Sequence, residues 1–250
     1  MRREMLGQHF LNSTRVAERI ARAAEVKDEL VVEIGPGKGI LTRQLAILAK
    51  KVIAVEIDGR LARFLEDSRI PRVDVLHLDF LKVNLRDFGH AVVVGNIPYG
   101  ISSLIIEKLI GSKNFVKKAL LTVQKEYGSK IVAALGHRGY GHLSICANYH
   151  FEIRRLFSVP ARYFTPSPKV SSVVVALQPK KGIFDEINEG EFFEFVAGVF
   201  RYRRKSLKNA ILKHLRWLPD GADHDLLAKR PQELSIIDFY RIYQLILEKR

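Results

Sequence analysis

The chain has 250 residues, 47% of them hydrophobic and 27% charged, enough for one sizeable core and a smaller appended domain. No apolar run approaches the ~20 residues that cross a bilayer, and Met1-Arg2-Arg3-Glu4 is followed by polar Gly7-Gln8-His9 rather than a signal-peptide core, so a soluble, cytoplasmic protein is expected. Lys and Arg total 41 against 27 Asp and Glu, a net charge of +14 that favours a polyanion such as nucleic acid, while the lone Cys146 excludes intramolecular disulfides and multi-cysteine metal sites.

Helix-like and strand-like segments alternate over the first two-thirds. Ser13 to Ala24 carries Val16, Ala17, Ile20 and Ala24 on one stripe, an amphipathic helix that Ser13 can cap. Leu30–Ile34, Val52–Ile57, Val73–Leu78, Ala91–Gly95 and Ala119–Val123 are short, largely apolar and read as buried strands. Helix-length segments lie between them at Ile40–Lys50, Gly59–Arg69 and Ser102–Ile110, which argues a doubly wound parallel sheet. Cys146–Phe157 and Lys169–Leu177 have no helix between them and are joined by the Pro-rich Val159–Pro168, so they read as an antiparallel pair closing the sheet, with Cys146 a small core residue.

From Pro179-Lys180-Lys181-Gly182 onward the pattern is helical only. Glu191–Tyr202, Ser206–Leu215 and Ser235–Glu248 are the candidates, the last opened by the capping-box pattern Ser235-Ile236-Ile237-Asp238. The expected division is an α/β domain over residues 1–178 and a helical domain over residues 179–250.

Four strand ends carry chemistry. Glu33-Ile34-Gly35-Pro36-Gly37-Lys38-Gly39 spaces its glycines G-x-G-x-G, neither the dinucleotide fingerprint nor a phosphate loop, and such a cluster alone is more often an ordinary tight turn. Glu56 and Asp58 end the second strand, where a carboxylate can accept both hydroxyls of a ribose. Asp79 ends the third, where it could accept from an adenine amino group. Together these describe a pocket for an adenosine-containing cofactor without phosphates. Asn96-Ile97-Pro98-Tyr99 ends the fourth, and its amide, its carbonyl and its aromatic ring form a socket for the exocyclic amine of a nucleobase. The tetrapeptide alone is as compatible with a strand that runs into a proline turn.

Gly7-Gln8-His9-Phe10-Leu11, Glu33 to Gly39, Glu56-Ile57-Asp58, Asp79, Asn96 to Tyr99 and Phe164-Thr165-Pro166-Ser167-Pro168-Lys169-Val170 occur in that order. With them the chain resembles the ribosomal RNA adenine dimethyltransferases, in particular the KsgA-like branch that modifies small-subunit RNA. The match runs from about Gly7 to Leu177 and continues more loosely through Phe200 to Asn209 and Lys229-Arg230-Pro231-Gln232-Glu233-Leu234. The resemblance implies a Rossmann-like seven-stranded methyltransferase sheet, mostly parallel with an antiparallel closing strand, and a small all-helical C-terminal domain. It implies S-adenosylmethionine as cofactor, lined by His9, Leu11, Gly35, Gly37, Glu56, Asp79 and Asn96. His9 stands where this family more often has Asn, and Ile97 where Leu is more usual.

The resemblance further implies dimethylation of adenines in a loop of small-subunit ribosomal RNA, coupled to assembly of that subunit. Asn96 and the Ile97 carbonyl would hold the 6-amino group, Pro98 would stiffen the strap, Tyr99 would stack on the base and Phe164 would cover its other face. A flipped-out base in a single-stranded loop suits such a socket. Arg201, Arg203, Arg204, Lys205 and Lys208 form the densest basic cluster and are candidates for RNA phosphates; at helical spacing they cannot all share one face. Histidine spacing offers no metal motif, and nothing in the sequence demands more than a monomer. The rival readings are the large-subunit, antibiotic-resistance branch of the same family and a non-catalytic RNA-binding assembly factor or transcription factor of this fold.

Overall fold

The structure is a computed structural model that describes residues 8–184 and 187–249; Gly7 of the N-terminal motif lies outside the described residues. The chain forms two compact units. The first comprises residues 1–128 and 150–180, the second residues 129–149 and 181–250.

In the first unit, β1 (Phe10–Leu11) leads into α1 (Thr14–Ala24), and Ser13 accepts from the Val16 N–H as its cap. There follow β2 (Leu30–Ile34), α2 (Ile40–Leu48), β3 (Lys51–Glu56), α3 (Gly59–Asp67), β4 (Val73–His77), β5 (Ala91–Asn96), α4 (Ser102–Gly111), β6 (Val116–Gln124) and α5 (Lys125–Ile131), within which the chain enters the second unit. After α6 (His142–His150) come β7 (Phe151–Val159), the short β8 (Phe164–Thr165) and β9 (Ser172–Pro179). Seven strands make one sheet in the order β4-β3-β2-β5-β6-β9-β7. β2 through β6 run parallel, and β9 is antiparallel to both β6 and β7.

The inner parallel strands β2, β3 and β5 are readable because they are covered on both faces, which requires continuous apolar runs: Ala91 to Gly95 are all buried, whereas the edge strand β4 has no buried residue. On one face α1 and α2 bury Ala17, Ile20, Leu41 and Leu45 against Val31, Val52, Val92 and Leu120. β1 and β8 pair outside this sheet, Phe10 opposite Thr165 and Leu11 opposite Phe164. This two-residue ladder fastens the segment before α1 to the Pro-rich segment.

Cys146 belongs to α6 rather than to a strand, and β7 begins only at Phe151. The second unit therefore includes a stretch that the sequence pattern assigned to the sheet. Tyr140 donates its hydroxyl to the Leu234 carbonyl, 3.0 Å, and Ala133, Tyr140 and Ile145 share a core with Phe192, Phe195 and Phe239. That unit also contains α7 (Glu189–Phe200), α8 (Leu207–Leu215), α9 (His224–Ala228) and α10 (Ile236–Glu248). Ser235 and Asp238 exchange cap bonds at the start of α10, as their spacing predicts. Phe184 lies flat on Tyr240, with ring centroids 3.9 Å apart and planes 7° from parallel.

Candidate active site

The C-terminal ends of β2, β3 and β5 meet the segment around β1, and one cleft there is lined by Gln8, His9, Phe10, Gly35, Glu56, Asn96, Ile97, Pro98 and Tyr99. This is the edge at which parallel α/β sheets bind ligands.

Glu56 is buried at the floor of the cleft. Its Oε2 accepts from the Gly37 N–H at 3.0 Å and its Oε1 from the Asp58 N–H at 2.9 Å. One lone pair on each oxygen is thereby committed and the carboxylate plane fixed, with further acceptor capacity remaining. Gly37 adopts φ +59°, and a Cβ there would lie 2.7 Å from Phe10 Cδ1, so this turn admits only glycine without displacing the Phe10 ring.

Asn96 ends β5. Its Nδ2 donates to the His9 carbonyl at 2.7 Å. A carbonyl can only accept, so the bond identifies the nitrogen end of the amide and leaves Oδ1 as an acceptor. The residue before it, Gly95, is dictated by close approach: a Cβ would sit 2.8 Å from Ile34 Cβ and 3.0 Å from the Ile34 carbonyl. The buried Ile97 donates its N–H to the Thr122 carbonyl, 2.9 Å, which ties the strap to β6. Tyr99 is half-buried, its hydroxyl 3.0 Å from Ser172 Oγ and its ring 5.1 Å from that of His9. Burial raises the Tyr99 pKa, and the Ser172 contact offsets this in part.

The structure thus gathers His9, Gly35, Glu56, Asn96, Ile97, Pro98 and Tyr99 around one space, with Gly37 bonded to its floor. The remaining predicted residues are placed differently. Asp79 caps the short turn Phe80–Lys82, where its Oδ1 accepts from the Leu81 N–H at 3.0 Å. Leu11 and Phe164 are buried partners across the β1–β8 ladder and belong to the core, so Phe164, 2% exposed, presents no open ring face here. The His9 ring is itself engaged, its Nδ1 2.6 Å from the Pro166 carbonyl.

Sequence reasoning gave Glu33 no role of its own. It is fully buried beneath the glycine loop, and burial pushes its carboxyl up to about 8; the nearby Thr42 hydroxyl opposes this and the Glu56 carboxylate adds to it. An acid beside a second acid at the root of a glycine turn was the available signal.

In the second unit Arg201, Arg203, Arg204, Lys205 and Lys208 are all exposed. Arg201 to Arg204 do not continue a helix: α7 ends at Phe200, and the bonds Tyr202 N–H to Val199, Arg203 N–H to Phe200 and Lys205 N–H to Tyr202 form a tight turn before α8. Tyr202 and Leu207 within this stretch pack on the core of the unit, while the charged side chains between them stay exposed. Among the described residues no group of three or more His, Cys, Asp or Glu could hold a metal, and no helix is long and apolar enough to cross a membrane.

A family model described as ribosomal RNA adenine dimethylase matches residues 1–244. A protein of Thermotoga neapolitana named ribosomal RNA small subunit methyltransferase A is 42% identical over 250 residues, covering 97% of this chain and 92% of its own. A Bacillus cytotoxicus protein of the same name is 38% identical, with 94% and 84% covered. Among solved structures, a dimethyladenosine transferase from Plasmodium falciparum superposes with TM-score 0.80 at 28% identity, covering 96% of this chain and 98% of its own. The 23S rRNA methyltransferase ErmE gives 0.72 at 28% identity, with 94% and 100% covered.

Proposed function

The chain belongs to the ribosomal RNA adenine dimethylase family, and from that premise we propose that it transfers methyl groups from S-adenosylmethionine to the 6-amino group of adenines in a loop of small-subunit ribosomal RNA. The observation that carries the reading is the Asn96–His9 bond, which turns the amide oxygen of Asn96 into an oriented acceptor beside the strap carbonyl of Ile97.

The residues present fit the cofactor. Glu56 is a buried carboxylate held by two backbone donors with acceptor capacity left for a ribose diol. Gly35, at φ +60°, lays bare backbone along the cleft, with no atom within 4 Å of where its Cβ would be. Asp79 stands at the neighbouring strand end with one oxygen committed to its own turn. Among the described residues no Lys or Arg lines the cleft, as befits a ligand without phosphates. When bound, S-adenosylmethionine supplies an electrophilic sulfonium methyl.

The chain itself holds the acceptor amine. The 6-amino nitrogen of adenine is a weak nucleophile because its lone pair is delocalised into the ring. Two N–H bonds, one to Asn96 Oδ1 and one to the Ile97 carbonyl, favour a pyramidal nitrogen with a localised lone pair. Tyr99 stacks on the base, and its bond to Ser172 fixes the ring for that task. Held this way, the amine would be presented to the sulfonium methyl and would shed its proton to water after transfer, so the chain's own residues need supply no base in the cleft. Phe164 supports the wall from behind through the β1–β8 ladder rather than by stacking.

The relatives named for the small subunit are 38–42% identical to this chain, whereas the 23S rRNA methyltransferase ErmE is 28% identical, which supports that subunit over the large one. The exposed Arg201, Arg203, Arg204, Lys205 and Lys208 supply phosphate contacts for docking on an assembling subunit. Methyl transfer from labelled cofactor to unmodified small subunits, followed by identification of the base, tests the whole reading: dimethylated adenine is expected, and label confined to large subunits or to cytosine overturns it.

A further inference from the structure

The surface formed by α1, the exposed side of β7 and the turn Ala161–Tyr163 is used by nothing described so far. β7 is an edge strand, and a bulge between Arg155 and Phe157 turns Leu156 outward, 40% exposed. Beside it lies an open groove of about 670 Å³ lined by Arg19, Lys118, Arg154, Arg155 and Phe157 among others. Arg15, Arg19 and Arg22 are exposed at helical spacing i, i+4, i+7, one stripe spanning about 10 Å of the α1 axis.

The charge balance of this groove sets it apart from ordinary solvated surface. Its two acids are already neutralised, Glu25 by Lys118 and Glu152 by Arg154. Arg15, Arg19, Arg22, Arg155 and Arg162 have no ion pair among the described residues. Two of these guanidinium groups are also held in place before any partner arrives. The Arg19 guanidinium lies 3.8 Å from the centroid of Phe157, and that of Arg162 lies 5.0 Å from the centroid of Tyr163. Arg155 is steadied by a 3.0 Å bond to Ser158 Oγ.

The N-terminal end of α1 is tied to the segment that lines the cleft. The Tyr163 carbonyl accepts from the Asn12 N–H at 2.9 Å, Asn12 Nδ2 bonds Thr165 Oγ1 at 2.8 Å, and Asn12 follows β1 closely after the cleft-lining His9 and Phe10. Arg162 therefore marks the cleft end of a basic track that runs along α1 to the β7 edge.

We propose that this track binds the phosphate backbone of the substrate RNA flanking the target adenine, a second phosphate-binding surface within the catalytic unit, with Arg19 and Arg155 as its central contacts. The inference rests on RNA being the substrate, as proposed above. Guanidinium groups fixed on rings, unpaired with acids and set beside an open groove suit successive phosphates better than an acidic protein helix, whose carboxylates would have to match the stripe's register.

The test uses the full chain and unmodified small subunits, with binding and methyl transfer read separately. Replacing Arg19→Glu and Arg155→Glu together should lower the slope of log affinity against log salt by about 1.4, roughly 0.7 per lost phosphate contact. The KM for the subunit should rise about tenfold or more, while affinity for S-adenosylmethionine stays as in the wild type. The pair Arg19→Lys and Arg155→Lys keeps the charge and should keep the slope. An unchanged slope and KM in the Glu pair overturn the proposal, and so does a slope lost equally in the Lys pair, which marks a packing role. If the wild type binds RNA but transfers no methyl, the activity reading fails while the slope comparison still decides the track.

Discussion

The Asn96 side chain and the His9 main chain are joined by a 2.7 Å bond across 87 positions of sequence, and this bond decides what the end of β5 can do. It anchors the amide nitrogen on a carbonyl, so rotation of the amide would set oxygen against oxygen. Replacing Asn96→Ala removes an acceptor for the target amine and releases the segment before α1. Turnover should fall about a hundredfold or more, with cofactor affinity changed only a few-fold. Single-turnover methyl transfer alongside cofactor titration checks this, and unchanged turnover removes the amine-holding role.

Glu56 predicts the reverse pattern. Replacing Glu56→Ala strips the acceptors from the Gly37 and Asp58 N–H groups and removes the seat proposed for the ribose hydroxyls. Cofactor affinity should drop at least tenfold, and stability should fall by about 1–3 kcal/mol for each buried donor left unmet. Calorimetric titration with cofactor and thermal unfolding read the two effects separately.

The parallel sheet was legible because burial on both faces leaves an uninterrupted apolar signature, and Leu30–Ile34 has the bounds its sequence suggests. Glu56 and Asn96 were legible as the first polar residues after such runs. Three features were not, each for its own reason. A two-residue ladder such as β1–β8 has no periodicity, so the burial of Phe164 could not be foreseen. Residues 129–149 join the second unit through side-chain packing with Phe192 and Phe239, which leaves no boundary in composition. Cys146 sits in an apolar stretch of nine helical residues, too short for period to separate helix from strand.

The turn after α7 offers a charge test. Arg203 and Arg204 are exposed and lie outside any helix. Reversing both to Glu should weaken RNA binding and flatten its salt dependence by about one to two, without altering cofactor affinity. A salt slope equal to that of the wild type reduces the cluster to plain surface.

Glu33 makes stability depend on pH. Burial keeps its carboxyl protonated in the folded chain up to about pH 8, whereas the group ionises near 4.5 when unfolded. Between those values the folded state binds one proton more than the unfolded state, so stability falls as pH rises through the window and levels off above it. Replacing Glu33→Gln substitutes a neutral group of similar shape and removes that dependence. The stability of the Gln chain relative to the wild type should therefore grow from about pH 5 to about pH 8 and then stay constant. Denaturant unfolding without cofactor across that range measures the gap, and a gap independent of pH means that Glu33 is ionised in the folded chain.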